Sequence, residues 1–275
     1  MKKSIWHDKI IFITGGSSGI GLAVARAFCL EGAHVAIFAR RLPQLTLAAQ
    51  ELTNLKQNVN QRIQYEQLDV ADEAAVQNIF NRTIEEIGAP DVLINCAGRA
   101  IPNYIDNIST EQFDETIRVN LKGVWNTVKA VLPAMKQYCR GYIVNTSSII
   151  GFMGVFGYAD YCASKFAIIG LSEGLRSELK RDNIHISVLC PPDTDTPGFA
   201  IENQTKPPET RAVSEMAKLT SPDKVARSLL IGMKRKKFMI IPGFDGKLTW
   251  IAKRYAPGLV DRMIENQISK AIRKQ

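Results

Sequence analysis

Tyr161 and Lys165 stand four residues apart in a stretch of helical periodicity, so a helix would bring both side chains to one face. A phenol beside an ammonium can exchange protons. An unperturbed tyrosine titrates near pH ~10, and an adjacent positive charge favours the phenolate and draws that value down. On its own the pair marks only a helical surface. Two further residues sharpen it. Ser148 lies thirteen residues upstream of Tyr161, in Asn145-Thr146-Ser147-Ser148, where a strand is expected to end. Asn120 follows another expected strand, which runs into Asn95-Cys96-Ala97-Gly98. A hydroxyl, a phenol and an ammonium gathered at strand ends could hold and protonate a carbonyl oxygen.

A second constellation binds rather than reacts. Directly after the first apolar run comes Thr14-Gly15-Gly16-Ser17-Ser18-Gly19-Ile20-Gly21, and a helix-period segment follows. Glycines at such a strand-to-helix turn let backbone N–H groups approach a pyrophosphate, which also meets the positive end of the helix. The spacing is Gly-x-x-x-Gly-x-Gly rather than Gly-x-Gly-x-x-Gly. The next strand ends Phe38-Ala39-Arg40-Arg41. A carboxylate near this position suits the ribose 2′-hydroxyl of NAD, whereas arginine suits a 2′-phosphate. Arg40 and Arg41 therefore favour NADP(H); the alternative is a solvated basic turn.

These residues need a scaffold, and the rest of the chain supplies its pattern. Strands are expected at Ile10–Thr14, Ala33–Ala39, Ile63–Gln67, Val92–Asn95, Tyr142–Ser147, Ile184–Cys190 and Phe238–Ile241. Helices such as Gly19–Leu30, Gln44–Leu55, Glu73–Ile87 and Tyr158–Lys180 lie between them. That alternation predicts an α/β, doubly wound parallel sheet with helices on both faces. The stretch 193–220 breaks the rhythm: it is polar, rich in Pro and Thr, and starts where ligands bind in open α/β sheets, which suggests a substrate lid.

In these motifs the sequence resembles the short-chain dehydrogenase/reductase family. The matching pieces are Thr14–Gly21, Asp69-Val70, Asn95–Gly98, Asn120, Ser148, Tyr161–Lys165, and Pro191 to Thr196, in family order and spacing. The resemblance implies a Rossmann-like sheet of seven parallel strands and a catalytic tetrad of Asn120, Ser148, Tyr161 and Lys165. It implies that Ser148 holds a carbonyl oxygen, that Tyr161 gives the proton, and that Asn120 keeps a water path open. Lys165, together with the positive ring of an oxidised nicotinamide, is expected to lower the Tyr161 pKa. The implied cofactor set is Gly15, Ser17, Ser18, Gly19, Ile20, Gly21, Arg40, Arg41, Asp69, Val70, Asn95, Tyr161, Lys165 and Thr196. Asp69 is assigned to the adenine, with a helix cap or a loop carboxylate as the other reading. Cys96 and Pro192 depart from the common pattern, where Asn and Gly are frequent. Within the family, Pro191–Phe199 and Lys206–Thr210 resemble the reductases of long-chain sphingoid ketones, which implies a lipid ketone substrate and NADPH. Other readings are a steroid or retinoid reductase, and a non-catalytic nucleotide-binding protein, although the latter commonly lacks a tetrad residue.

Bulk properties narrow the remainder. The 275 residues suffice for one large α/β domain, expected at 1–245, with a basic amphipathic extension at 246–275. From Lys234 onward there are eleven basic and three acidic residues, which accounts for the whole net charge of +8. The charge excess is therefore local and does not suggest a nucleic-acid-binding domain. Five scattered cysteines and three distant histidines suggest reduced thiols and no metal. The polar start of the chain does not resemble a secretory signal, and no apolar run is long enough to span a membrane. A cytoplasmic homo-oligomer is expected. In the tail, Val260, Met263, Ile264, Ile268, Ala271 and Ile272 form a helical stripe flanked by Arg262, Lys270, Arg273 and Lys274. Such a helix can lie on a membrane surface or pack on the protein.

Overall fold

Seven runs pair into one sheet, and the central ones carry apolar residues on both faces, as strands covered by helices on both sides require. The edge run Ile63–Gln67 carries Ile63 and Tyr65 on one face and Gln64 and Glu66 on the other. The computed structural model describes residues 3–273. The strands are β1 (Ile10–Thr14), β2 (His34–Ala39), β3 (Ile63–Gln67), β4 (Val92–Asn95), β5 (Gly141–Thr146), β6 (Ile184–Leu189) and β7 (Met239–Ile240). All pair in parallel, in the order β3-β2-β1-β4-β5-β6-β7. Alternation sorts the side chains. Ile11, Ile13, Val35, Ile37, Val92 and Ile94 enter one core, and Phe12, Phe38, Leu93 and Ile143 enter the other.

Helices cover both cores. On the first face lie α1 (Gly19–Leu30), α2 (Leu42–Asn54) and α9 (Pro222–Lys234); on the second lie α3 (Glu73–Ile87), α5 (Gly123–Gln137) and α6 (Ala159–Leu179). Phe80 of α3 completes an aromatic cluster with Phe12 and Phe38, with centroids 4.7–5.4 Å apart. Helix α4 (Thr110–Ile117) runs through one π turn, Arg118–Lys122, into α5. The expected lid at 193–220 is helical: α7 (Pro197–Thr205) and α8 (Pro208–Ser214) lie between a bridge that pairs Thr194 with Thr220. Helices α10 (Phe244–Tyr255) and α11 (Pro257–Ile272) finish the fold, with α11 packed against α8 and α10.

Chain order reverses between β1 and β4, whose registers place Thr14 beside Asn95. The connections leave in opposite directions from this pair, which opens a crevice at the carboxyl ends of the strands. Boundaries differ from expectation by a residue or two. Strand β5 starts at Gly141 because that residue pairs with Ile184. Strand β7 shrinks to the two residues that β6 can match. Helix α2 starts at Leu42 because Pro43 favours the first helical turn.

Candidate active site

The glycine loop is shaped by contact as much as by conformation. Gly15 has φ +69°, and a Cβ there would stand 2.7 Å from the Ala97 amide nitrogen. A Cβ on Gly21 would stand 2.2 Å from the Gly15 carbonyl oxygen. Only glycine fits where β1, β4 and α1 converge. Ser18, extended at the N-cap of α1, makes no side-chain capping bond, and the first turn holds no acidic residue. The helix therefore presents uncapped N–H groups and the positive end of its dipole to the crevice. This cradle fits a pyrophosphate.

The crevice has a cavity volume of about 450 Å³. Gly15, Ser17, Ser18, Gly19, Ile20 and Gly21 form its floor; Arg40 and Arg41, both exposed, and Asp69 with Val70 form one wall. Tyr161, Lys165 and Thr196 line the other end. Asp69 Oδ1 accepts from the Ala71 amide at 3.0 Å, and its carboxylate pairs with Arg118 at 3.6 Å. The cap of α3 is instead Asp72, so Asp69 is not the helix cap that the sequence left open. Thr196 caps α7 and leans over Gly19, whose Cβ would meet its methyl at 3.1 Å. The structure does not place Asn95 on the cleft wall. Its Oδ1 accepts from Thr127 at 2.8 Å and its Nδ2 donates to Asn145 at 2.9 Å. Asn145 in turn donates to Ser172 of α6 at 2.9 Å. This buried polar chain ties β4 and β5 to α5 and α6, and so positions the helix that carries the tyrosine.

Helix α6 brings Tyr161 and Lys165 to one face, with the Lys165 Nζ 5.4 Å from the Tyr161 ring centroid. Four hydrogen bonds fix this end of the helix. Asp160, 1% exposed, accepts from Thr116 at 2.7 Å and from the Tyr161 amide at 2.8 Å. Ser147 donates to the Lys165 carbonyl at 2.8 Å. The Lys165 Nζ donates to the Thr146 carbonyl at 2.9 Å. Asn120 occupies the π turn, a distortion that recurs at functional sites. Its amide exchanges two hydrogen bonds with the Arg99 backbone, at 2.8 and 2.9 Å, and donates to Ser164 at 3.0 Å. Asn120 and Lys165 converge under Gly98, where an added Cβ would lie 3.3 and 3.6 Å from their polar atoms. Ser148 caps a single 3-10 turn and hydrogen-bonds the Tyr161 phenol. Asn120 is buried, whereas Ser148 is part-exposed beside the phenol.

Burial dominates the electrostatics. Tyr161 is pushed well above the ordinary phenol range, first by desolvation and then by the Glu202 carboxylate, while the Ser148 hydrogen bond works the other way. Burial lowers Lys165 from 10.5 to about 8. Among the chain's own groups, burial thus sets the direction of the shift at the phenol. Cys96, part-buried against Thr146 at 3.4 Å, is raised by desolvation to about 11 and is a neutral thiol.

Comparison with known proteins follows the same residues. The short chain dehydrogenase family profile matches residues 9–207. The chain belongs to the short-chain dehydrogenases. It is 37% identical over 237 residues to the 3-ketodihydrosphingosine reductase of Bos taurus, covering 86% of this chain and 71% of that protein. It is 39% identical over 245 residues to a 3-dehydrosphinganine reductase of Arabidopsis thaliana, covering 88% and 72%. Among solved structures, the alcohol dehydrogenase from the archaeon Thermococcus sibiricus complexed with 5-hydroxy-NADP superposes with a TM-score of 0.72 at 29% identity, over 85% of this chain and 95% of that one.

This short-chain dehydrogenase also lines its cleft with residues the sequence analysis did not single out. Arg99, Ile101 and Glu202 face the same space. Glu202 comes from α7, where it lines the cleft beside Ile201, one of the apolar side chains that the stretch 193–220 offers as a substrate contact. Pro192 is accommodated without strain, its carbonyl accepting from Thr194 at 2.7 Å. Among the described residues, no cluster of His, Cys, Asp and Glu could hold a metal ion, and no helix is long and apolar enough to cross a membrane.

Proposed function

We propose that this chain uses NADPH to reduce the C3 ketone of 3-ketodihydrosphingosine to dihydrosphingosine. The observation that carries the reading is the likeness, over more than four-fifths of the chain, to reductases named for that substrate. The glycine cradle takes the pyrophosphate, and Arg40 and Arg41 take the 2′-phosphate. Bound NADPH supplies hydride to the carbonyl carbon. Ser148 holds the carbonyl oxygen, and Tyr161 donates the proton that turns it into a hydroxyl. The phenol holds its proton at neutral pH, as a donor must, and bringing its acidity toward neutrality falls to the Lys165 ammonium beside it. The Lys165 ammonium stabilises the phenolate that this transfer leaves, and Asn120 keeps open the water path by which the phenol is reprotonated from solvent.

The domain reading that fits is a catalytic unit over 1–245 with a lid at 193–220 and a tail at 246–275. We assign the tail a peripheral contact with the cytosolic face of a membrane. Phe244, Leu248, Ile251 and Tyr255 recur at helical spacing on α10 and are all exposed, among Lys247, Lys253 and Arg254. Exposed Phe113, Trp125 and Phe166 on α4, α5 and α6 support a homo-oligomer. The deciding experiment follows NADPH oxidation with 3-ketodihydrosphingosine, shorter-chain analogues and a steroid ketone. Each buried CH₂ adds about 0.8 kcal/mol, so kcat/KM should climb with chain length. Steroid reduction without reduction of any long-chain amino ketone would overturn the assignment.

A further inference from the structure

Glu202 is a carboxylate in the cleft that neither the proton transfer nor the nucleotide cradle uses. It projects from α7 onto the wall shared with Tyr161 and Lys165. Its Oε2 accepts a hydrogen bond from the Tyr158 hydroxyl at 2.9 Å. Of the chain's charged groups, Glu202 acts most strongly on the Tyr161 phenol, with Asp193 behind it. Lys206 is the nearest compensating cation, but its ammonium sits 3.9 Å over the Phe199 ring and donates to Ser214 at 3.2 Å. Among the described residues, no basic side chain forms an ion pair with Glu202. Burial of this carboxylate raises its pKa. A half-buried carboxylate with one neutral donor is costly to keep ionised, and that cost falls if a ligand brings a cation.

The proposed substrate carries one. Its C2 ammonium is attached to the carbon next to the ketone, so a carbonyl placed at Tyr161 puts the ammonium within reach of the neighbouring carboxylate. We propose that Glu202 is the specificity-determining residue of this site: its carboxylate receives the ammonium adjacent to the reacting ketone and selects 2-amino ketones over ketones that lack the amine. The inference rests on the reaction proposed above. Its rival is that Glu202 only fastens the lid to α6 through Tyr158.

The test compares kcat/KM for 3-ketodihydrosphingosine with that for its deamino analogue of equal chain length, in the wild type, Glu202→Gln, Glu202→Asp and Tyr158→Phe. Glutamine keeps an acceptor for Tyr158 but removes the charge. Glu202→Gln should lose about 10- to 100-fold on the amino ketone, mainly through KM, the range expected for a hydrogen bond to a charged group. Any change it causes at Tyr161 acts on both ketones and cancels in their ratio. Glu202→Asp, which retains the charge one methylene further back, should fall between. Tyr158→Phe removes the lid fastening and should keep the wild-type ratio. If Glu202→Gln and Glu202→Asp both keep that ratio, or if the wild type reduces both ketones equally well, Glu202 does not select the amine. If the wild type reduces neither, the reaction assignment itself fails and this inference falls with it.

Discussion

Replacing Lys165 with methionine should inactivate the chain and, at neutral pH, stabilise it. Lys165 is only 4% exposed, and the one hydrogen bond its ammonium donates within the chain goes to the Thr146 carbonyl. Burial takes its pKa from 10.5 to about 8. At ~1.4 kcal/mol per tenfold change in proton affinity, keeping it charged at pH 7 costs the folded state about 3 kcal/mol. Methionine fills much the same volume without the charge, and loses a hydrogen bond worth about 1 kcal/mol net. The variant should therefore be more stable by about 2 kcal/mol at pH 7. The pH dependence makes the reasoning specific. Between pH 8 and 10.5 the unfolded wild type holds the lysine proton more tightly than the folded one, so folding gains stability as pH rises. The variant's advantage should be flat below pH 8 and then shrink by ~1.4 kcal/mol per pH unit. Urea denaturation of both proteins from pH 7 to 10, without nucleotide, measures the difference directly. A difference that does not move with pH, or a variant less stable than wild type at pH 7, would refute the argument.

Other outcomes follow from the same geometry. Tyr161→Phe should lower turnover by about 10²–10⁴-fold while NADPH binding, measured by fluorescence titration, stays near normal. Gly21→Ala drives a methyl to 2.2 Å from the Gly15 carbonyl oxygen; it should abolish nucleotide binding and cost roughly 1–3 kcal/mol in denaturant unfolding. Arg40→Asp should narrow or reverse the preference for NADPH over NADH, read as the ratio of kcat/KM values, because a carboxylate repels the 2′-phosphate.

The site was legible to the extent that its residues sit at strand ends. Strand β1, the loop Thr14–Gly21 and α1 could be read because glycine spacing and the change from alternating to helical period occur together. Tyr161 and Lys165 could be placed on one face because four residues make about one helical turn. The helices of the lid had a local signal that the sequence analysis did not use. Thr196-Pro197 and Pro207-Pro208 each place proline at a helix start, and Thr196 caps α7. Asn95 had none. Its family position suggests a cofactor contact, yet its amide is consumed by Thr127 and Asn145, which meet it only when β4, β5 and α5 are packed together. The tail divides differently from its pattern. Val260, Ile264, Ile268 and Ala271 are part-buried and Met263 and Ile272 exposed, while the fully exposed apolar row belongs to α10; Lys274 lies outside the described residues.

The amino-acid sequence by itself determined the class of fold, the glycine turn of the nucleotide cradle and the residues proposed for proton transfer. Those features depend on local periodicity, on glycines that no side chain can replace, and on short fixed spacings along one helix. Only the tertiary structure decided the electrostatics. Whether a phenol rises or falls depends on how much water the surrounding elements exclude and on which charges arrive from distant segments. Here α7 carries Glu202 to the phenol from 41 residues away, and burial lowers Lys165 to about 8. Desolvation acts through space, not along the chain, so the direction of the Tyr161 shift and the role of Glu202 emerge only once the lid is folded over the sheet.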